Sequence, residues 1–234
     1  MSDLYFRPGT WDSGIWQAVA GANEYGLPER FPQGATVIDI GAHIGAFTYA
    51  CLDRNAALVV AVEPEIESAR SWHHNLHRAC KATDRSLLIT AACWRSDRVG
   101  PQHVDTFEMG PNTGAVHVFG RGGQPTRAIA LDTLIDFTLA LSPGRITLLK
   151  LDCEGSEWPI LYTSQKLDLV QEIIGEYHVG ERPGWEGPTT VEELLVHLGN
   201  EGFSCDHIDR NGSLGLFHAW RDAKLCEIPR AVPA

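Results

Sequence analysis

Positive charge is scarce in this sequence. Its 234 residues carry 19 Lys and Arg against 30 Asp and Glu, a formal net charge of −11 at pH 7. No Lys/Arg cluster stands out, so the electrostatic footprint of a general nucleic-acid binder is missing and no nucleic-acid partner is expected. No apolar run is long enough to span a bilayer, so no membrane partner is expected either. The first residues include Asp3, Arg7 and Asp12 where a signal peptide would have an apolar core. None of the six cysteines (Cys51, Cys80, Cys93, Cys153, Cys205 and Cys226) forms a C-x-x-C pair, which argues against a zinc knuckle or a thioredoxin-like motif. Scattered through predicted strands and helices, they read as buried free thiols. Repeats and low-complexity tracts are absent. The expectation is a soluble cytoplasmic protein with one α/β core.

What is present is an alternation of apolar strands and helices. The strand pattern covers Thr36 to Ile40, Leu58 to Val62, Leu87 to Cys93, Ile146 to Leu151 and Glu172 to Tyr177. Helices are expected over Ile44 to Leu52, Ile66 to Ala79, Leu131 to Ala140, from Ser156 through Leu161, and after a capping box at Thr190 to Glu193. Ser156 is the expected cap of its helix. Strand, helix, strand in right-handed order builds a doubly wound sheet. Asn211-Gly212 between Ser204 to Asp209 and Leu214 to Trp220 predicts a closing hairpin. The Gly- and Pro-rich stretches 96–126 and 180–190 read as functional loops, the first with a hairpin-like excursion at Ala115 to Phe119 and Thr126 to Ala130. Residues 1–35 form a helical segment ahead of a single domain, 36–234. Trp11, Ile15 and Val19 share one helical face there, and this segment, with Trp16 and Tyr25, reads either as packing or as a lid over a ligand.

The most informative stretch is Thr36 to Phe47, TVIDIGAHIGAF. A dinucleotide fingerprint counted from Gly41 needs glycine at 43 and 46, where this chain has His43 and Ala46. A phosphate-binding G-K-[ST] is absent. The pattern Asp39, Gly41, Ala42, Gly45 suits a ligand without phosphate but with an amino-acid end, as in S-adenosylmethionine. Helix-start amides suit its carboxylate, and Asp39 suits its ammonium. Glu63, 22 residues beyond Gly41 at a strand end, is placed to accept both ribose hydroxyls, with Pro64 beside the adenine. The region after the third strand, Ala91-Ala-Cys-Trp-Arg95, gives no clear Asp or Asn to read the adenine amino group. His43 is placed to touch this ligand or to line a neighbouring pocket.

VIDIGAHIGAFT, then VEP, then LLKLDCEGSEWPIL resemble the FkbM-type S-adenosylmethionine-dependent methyltransferases. The resemblance runs from about RPGTWD at Arg7 to His178. Its more specific element is K-x-D-x-E-G-x-E, here Lys150, Asp152, Glu154, Gly155 and Glu157. It implies a class I methyltransferase fold: a Rossmann-like three-layer sandwich around a mostly parallel seven-stranded sheet with an antiparallel last strand. It also implies methyl transfer, usually to oxygen on a small molecule or sugar.

Ligands of such sheets sit beyond the C-terminal strand ends. That rule selects Asp152 with Glu154 after one strand, and Glu176 with His178 after the next. Asp152 is expected beside the reacting methyl and His178 as general base. Glu154 and Glu157 could also simply favour a helix start. Asp152, Glu176 and His178 could alternatively share a divalent cation. His73, His74 and His77 are expected on a solvated helix face. The competing functions are a nicotinamide-dependent oxidoreductase, which His43 and Ala46 disfavour, and a non-catalytic protein that binds S-adenosylmethionine.

Overall fold

All five residues of the TVIDI strand are buried, because both faces of the sheet around it are covered. The structure, a computed structural model, describes residues 4–79, 83–98, 102–109, 112–117, 123–180 and 185–229. In chain order its strands are β1 (Thr36–Ile40), β2 (Leu58–Val62), β3 (Ser86–Ile89), β4 (Ala92–Trp94), β5 (Gln102–Met109), β6 (Asn112–His117), β7 (Gln124–Ala130), β8 (Leu148–Leu151), β9 (Glu172–His178), β10 (Ser204–Asp209) and β11 (Leu214–Trp220). The helices are α1 (Asp12–Trp16), α2 (Ala46–Asp53), α3 (Ile66–Ala79), α4 (Leu131–Leu141), α5 (Glu157–Thr163) and α6 (Val191–Asn200).

Seven strands form one sheet in the order β10-β11-β9-β8-β1-β2-β3. The β3-β2-β1-β8-β9 pairs are parallel, and β11 lies antiparallel between β9 and β10. The predicted Asn-Gly hairpin therefore inserts its second strand into the sheet, leaving the first on the edge. Strand alternation sends Val37, Val59, Leu148 and Ile174 to a core under α2 and α3, and Ile38, Val60, Leu149 and Ile173 to a core under α4, α5 and α6. This is the expected three-layer sandwich.

Several boundaries differ from the sequence pattern. The apolar run Leu87 to Cys93 is two strands, because the chain leaves the main sheet at Thr90-Ala91 and β4 pairs with β7. β4, β7, β5 and β6 make a second sheet of four strands, where the pattern suggested a hairpin-like excursion. Phe119 of that excursion and residues 181–184 of the later loop lie outside the described residues. α2 starts at Ala46 because Gly45 turns with φ +93°. Ser156 precedes α5 but makes no side-chain capping bond; the Glu157 carboxylate instead takes the Cys153 N–H at 2.9 Å. The Thr190 capping box is present in both directions. Thr190→Ala should cost about 1 kcal/mol of unfolding free energy, read from the urea midpoint at unchanged slope. His73, His74 and His77 are exposed on α3, as expected. The described cysteines are free thiols. Among the described residues no helix is long and apolar enough to cross a membrane.

The ends of the chain meet. Glu172, fully buried in β9, accepts hydrogen bonds from the Leu225 and Cys226 amides and pairs with buried His218 at 2.6 Å. The Glu227 amide donates to the Gly26 carbonyl at 2.8 Å. A Cβ on Gly26 would stand 1.9 Å from the Glu227 oxygen, so the two segments are in direct backbone contact.

Candidate active site

The strand order reverses between β1 and β8, and a crevice opens there beyond the strand ends. Gly41 follows β1 and Asp152 follows β8. They approach so closely that a Cβ on Gly41 would lie 1.8 Å from the Asp152 carbonyl oxygen. Gly41 has φ +77°, a region open to glycine and strained for other residues.

Two spaces meet at this pair. One is a narrow cleft of about 20 Å³ lined by Gly41, Glu63, Pro64, Cys93, Asp152 and Cys153. The other is a cavity of about 400 Å³, within the range of small-molecule sites. Trp11, Ile15, Ala18 and Val19 line it, and so do the carboxylates Asp152, Glu154, Glu176 and Glu24. The predicted face of the N-terminal helix thus points into the cavity. That helix is α1 continued by a π-helical turn at Gln17–Gly21, a distortion frequent at functional sites. β6, within the 96–126 stretch, passes close to α1.

Arg7 ties this N-terminal wall to the turn. Its guanidinium forks onto Asp12 at 2.9 and 3.0 Å, reaches Glu65 at 3.0 Å and lies 2.8 Å from His43 Nε2. The RPGTWD segment is therefore the clamp that holds α1 over the crevice. His43 lines the large cavity with its ring held in this clamp.

Each remaining sequence candidate has a definite place. Glu63 is buried and accepts from the His43 and Glu65 amides at 2.8 and 2.9 Å, one on each oxygen. Burial raises its carboxyl, partly offset by His43 and these amides. Each oxygen keeps a further lone pair toward the cleft. Ala42 lines the large cavity, and so do Ala46 and Phe47 at the start of α2, whose first-turn amides have no intrahelical acceptor. The amides of Gly41 and Ala42 are taken by the Val62 carbonyl.

Asp39 and Gly45 line neither space. Gly45 packs where a Cβ would meet Leu76 and Trp72. Asp39 is fully buried on the α2 side, accepting from Thr48 at 2.7 Å and facing Lys150 Nζ at 3.3 Å. Asp39 and Lys150 are register partners in the β1–β8 ladder, so the pleat puts both on one face. Lys150 also donates to the Ile40 and Gly41 carbonyls at 3.1 and 2.7 Å. Burial works against its charge, but Asp39 and Asp152 outweigh burial and hold its pKa above the ordinary value. Asp39 is thus a partner of Lys150 and Thr48.

Asp152 accepts a hydrogen bond from the Tyr25 hydroxyl at 2.9 Å and has Lys150 Nζ 3.9 Å away. Burial would raise its carboxyl; Lys150, His178 and the Tyr25 bond outweigh that and hold it below the ordinary value. Tyr25 is itself buried and packs edge-on against Phe47.

His178 sits among carboxylates: Nε2 is 3.2 Å from Glu154 and 3.6 Å from Glu176, and Nδ1 is 3.5 Å from Glu157. Burial alone would lower the imidazole, but Glu157 and Glu154 push its pKa up to about 11. A ring held charged has no lone pair for a proton, which runs against the base role expected for it. Glu176 moves the other way: burial and the Asp152 charge push its pKa up to about 8, against His178 and Arg210. Arg210, from the hairpin, joins Glu176 at 2.8 Å to Glu24 of the N-terminal segment.

Sequence reasoning missed Lys150, Glu24 and Arg210 as parts of this site. A lysine inside a buried strand was the available signal for the first. The other two meet only through the tertiary fold. A Tyr-x-x-x-Lys spacing does occur at Tyr162 and Lys166, as in some nicotinamide enzymes, but Tyr162 stacks on His197 and Lys166 pairs with Asp136. Neither lines the two spaces.

A family model described as the methyltransferase FkbM domain matches residues 39–205. No curated protein matches the chain in sequence. Among solved structures, a putative rRNA-methylase from Clostridium thermocellum is 11% identical over 94% of this chain and 99% of that one, with a TM-score of 0.51. Precorrin-6y C5,15-methyltransferase from Geobacter metallireducens GS-15 is 10% identical over 93% of each chain, TM-score 0.49. Methyltransferase FkbM from Methylobacillus flagellatus KT is 13% identical over 84% of this chain and 49% of that one, TM-score 0.48.

Proposed function

The chain belongs to the family of the methyltransferase FkbM domain, and on that premise we propose that it transfers the methyl group of S-adenosylmethionine to a hydroxyl of a small molecule or sugar. The family makes it an S-adenosylmethionine-dependent methyltransferase. The oxygen acceptor is the inference from the site. One observation carries it: Asp152 borders both the narrow cleft and the 400 Å³ cavity.

The residues present suit the donor. Glu63 retains acceptor capacity for two ribose hydroxyls, with Pro64 and Cys93 beside them for the adenine. The free amides at the start of α2 suit the carboxylate of the methionine end. The cleft is narrow, so binding has to part its walls. The sulfonium then falls near Gly41 and Asp152, where the cleft meets the cavity.

The acceptor enters the larger cavity along the Ile15 and Val19 wall. Its hydroxyl oxygen attacks the methyl carbon in line; the O–C bond forms as the C–S bond breaks, and sulfur keeps the electron pair. The hydroxyl proton passes to a carboxylate at this edge, Asp152 being the one that also borders the donor. Alignment and exclusion of water supply most of the acceleration, since a sulfonium is already a good leaving group. The apolar N-terminal wall serves both.

Titration calorimetry tests the donor assignment. S-adenosylmethionine and its demethylated product should bind and NAD should not; no heat with either methionine derivative would sink this reading. Glu63→Ala should weaken donor binding by about 10–100-fold, the loss of one charge-assisted hydrogen bond. Unchanged affinity would remove Glu63 from the site.

A further inference from the structure

The carboxylates after β8 and β9 converge on one imidazole nitrogen. One ligand atom each from Asp152, Glu154 and His178 lie within 4.8 Å of one another. Oxygen and nitrogen atoms sharing a cation at 2.0–2.6 Å lie no more than about 4–5 Å apart, so these three need little adjustment to share one.

The surroundings select a cation at that point. On the far side of the ring, Glu157 faces Nδ1 at 3.5 Å with a carboxylate that has no exposure, and its second oxygen accepts no hydrogen bond. A buried carboxylate behind Nδ1 keeps a proton on that nitrogen, the arrangement that orients metal-bound histidines. With that proton alone, a neutral ring would turn its Nε2 lone pair toward Glu154 and Glu176, acceptor against acceptor. Only positive charge relieves this. Of the neighbouring cations, Lys150 is held by Asp39 and two carbonyls with Asp152 at 3.9 Å, and Arg210 by Glu24 and Glu176; among the described residues neither pairs with Glu154. Either a second proton sits on the ring or a metal ion replaces it.

We propose that Asp152, Glu154 and His178 Nε2 hold a divalent cation, with Glu157 as the positioning residue behind the ring. Two carboxylates and one imidazole suit Mg²⁺ or Mn²⁺ more than a soft metal. Asp152 and Glu154 line the 400 Å³ cavity, so the ion's open positions face the space assigned to the acceptor. Binding of the ion stands on these side chains alone. Its use there, polarising an acceptor hydroxyl and drawing its proton off, rests on the methyltransferase reading.

Mn²⁺ alone is the probe. The full chain, stripped with chelator, is titrated while the electron paramagnetic resonance signal of free Mn²⁺ is followed. One saturable ion per chain is expected. Glu154→Gln and His178→Gln should each weaken it by more than tenfold, and Glu157→Gln by about tenfold. Near-ultraviolet circular dichroism checks that the variants keep the fold. Absence of saturable binding in the unaltered protein overturns the inference, and so does equal binding in folded Glu154→Gln and His178→Gln. The same samples are titrated with S-adenosylmethionine. Donor binding without Mn²⁺ binding refutes the cation site and leaves the methyltransferase reading standing; Mn²⁺ binding without donor binding does the reverse.

Discussion

Asp152→Asn is expected to lower the rate of methyl transfer by about 10²–10⁴-fold, the contribution of a positioned acid–base group, while S-adenosylmethionine affinity stays within a few-fold. The substitution keeps the size of the side chain and its acceptor for the Tyr25 hydroxyl. It removes the negative charge at the point where cleft and cavity meet. The loss should therefore fall on kcat more than on donor binding, since a group that acts only as the hydroxyl proton departs contributes nothing to the ground state. Asp152→Ala should be as inactive and still folded, because Asp152 lies at the rim of the sheet, outside both apolar cores. Single-turnover rates with calorimetry separate the two effects. Unchanged kinetics in Asp152→Asn would remove it from the reaction and return the question to Glu176.

Lys150→Met should cost about 3–5 kcal/mol of stability, the usual result of removing one partner from a buried ion pair. For a chain of this size that is a fall of on the order of 10 °C in melting temperature. Asp39 would be left fully buried, with Thr48 as its remaining partner. The Ile40 and Gly41 carbonyls would lose their donor as well. Methionine fills a similar volume, so a cavity adds little. In Asp39→Asn/Lys150→Met part of the loss should return, because the uncompensated charge is gone. Thermal unfolding of the three proteins decides it; a single variant within 1 kcal/mol of the parent would mean that water reaches this pair.

The contrast between these two residues shows what the linear sequence carried. Glu63 and Asp152 were legible because each ends an apolar run, and the rule that ligands lie beyond strand ends needs no side-chain detail. Asp39 reads the same way because it also lies near the end of its run, yet it lines neither space. Its partner is decided by the register of β1 against β8, which brings Lys150 alongside. The run Leu87 to Cys93 was misread for a related reason: a largely apolar run looks alike whether it serves one strand or two that pair in different sheets. Glu24 and Arg210 carry no local pattern at all, since each is an ordinary exposed-type residue until the hairpin and the N-terminal segment meet. Trp11, Ile15 and Val19 were visible as a helical face, but a face does not say whether it meets a core or a cavity. The FkbM resemblance identified the donor; the part of the cavity wall from Trp11 to Tyr25 lies outside the matched residues 39–205.

The backbone contact between Gly26 and Glu227, with Glu172 holding Leu225 and Cys226, has a consequence for how the protein is made. Residues 11–26 leave the ribosome before any strand of the sheet, yet one of their anchors, at residues 225–227, follows every described strand. The growing chain can form β1, β2, the turn at Gly41 and the Arg7 clamp onto His43 and Glu65 while the Gly26 end of the cavity wall still lacks its Glu227 contact. The narrow cleft is complete only once Asp152 and Cys153 have followed β8, and the Gly26 end of the cavity wall is fixed later still, when residues 225–227 have emerged.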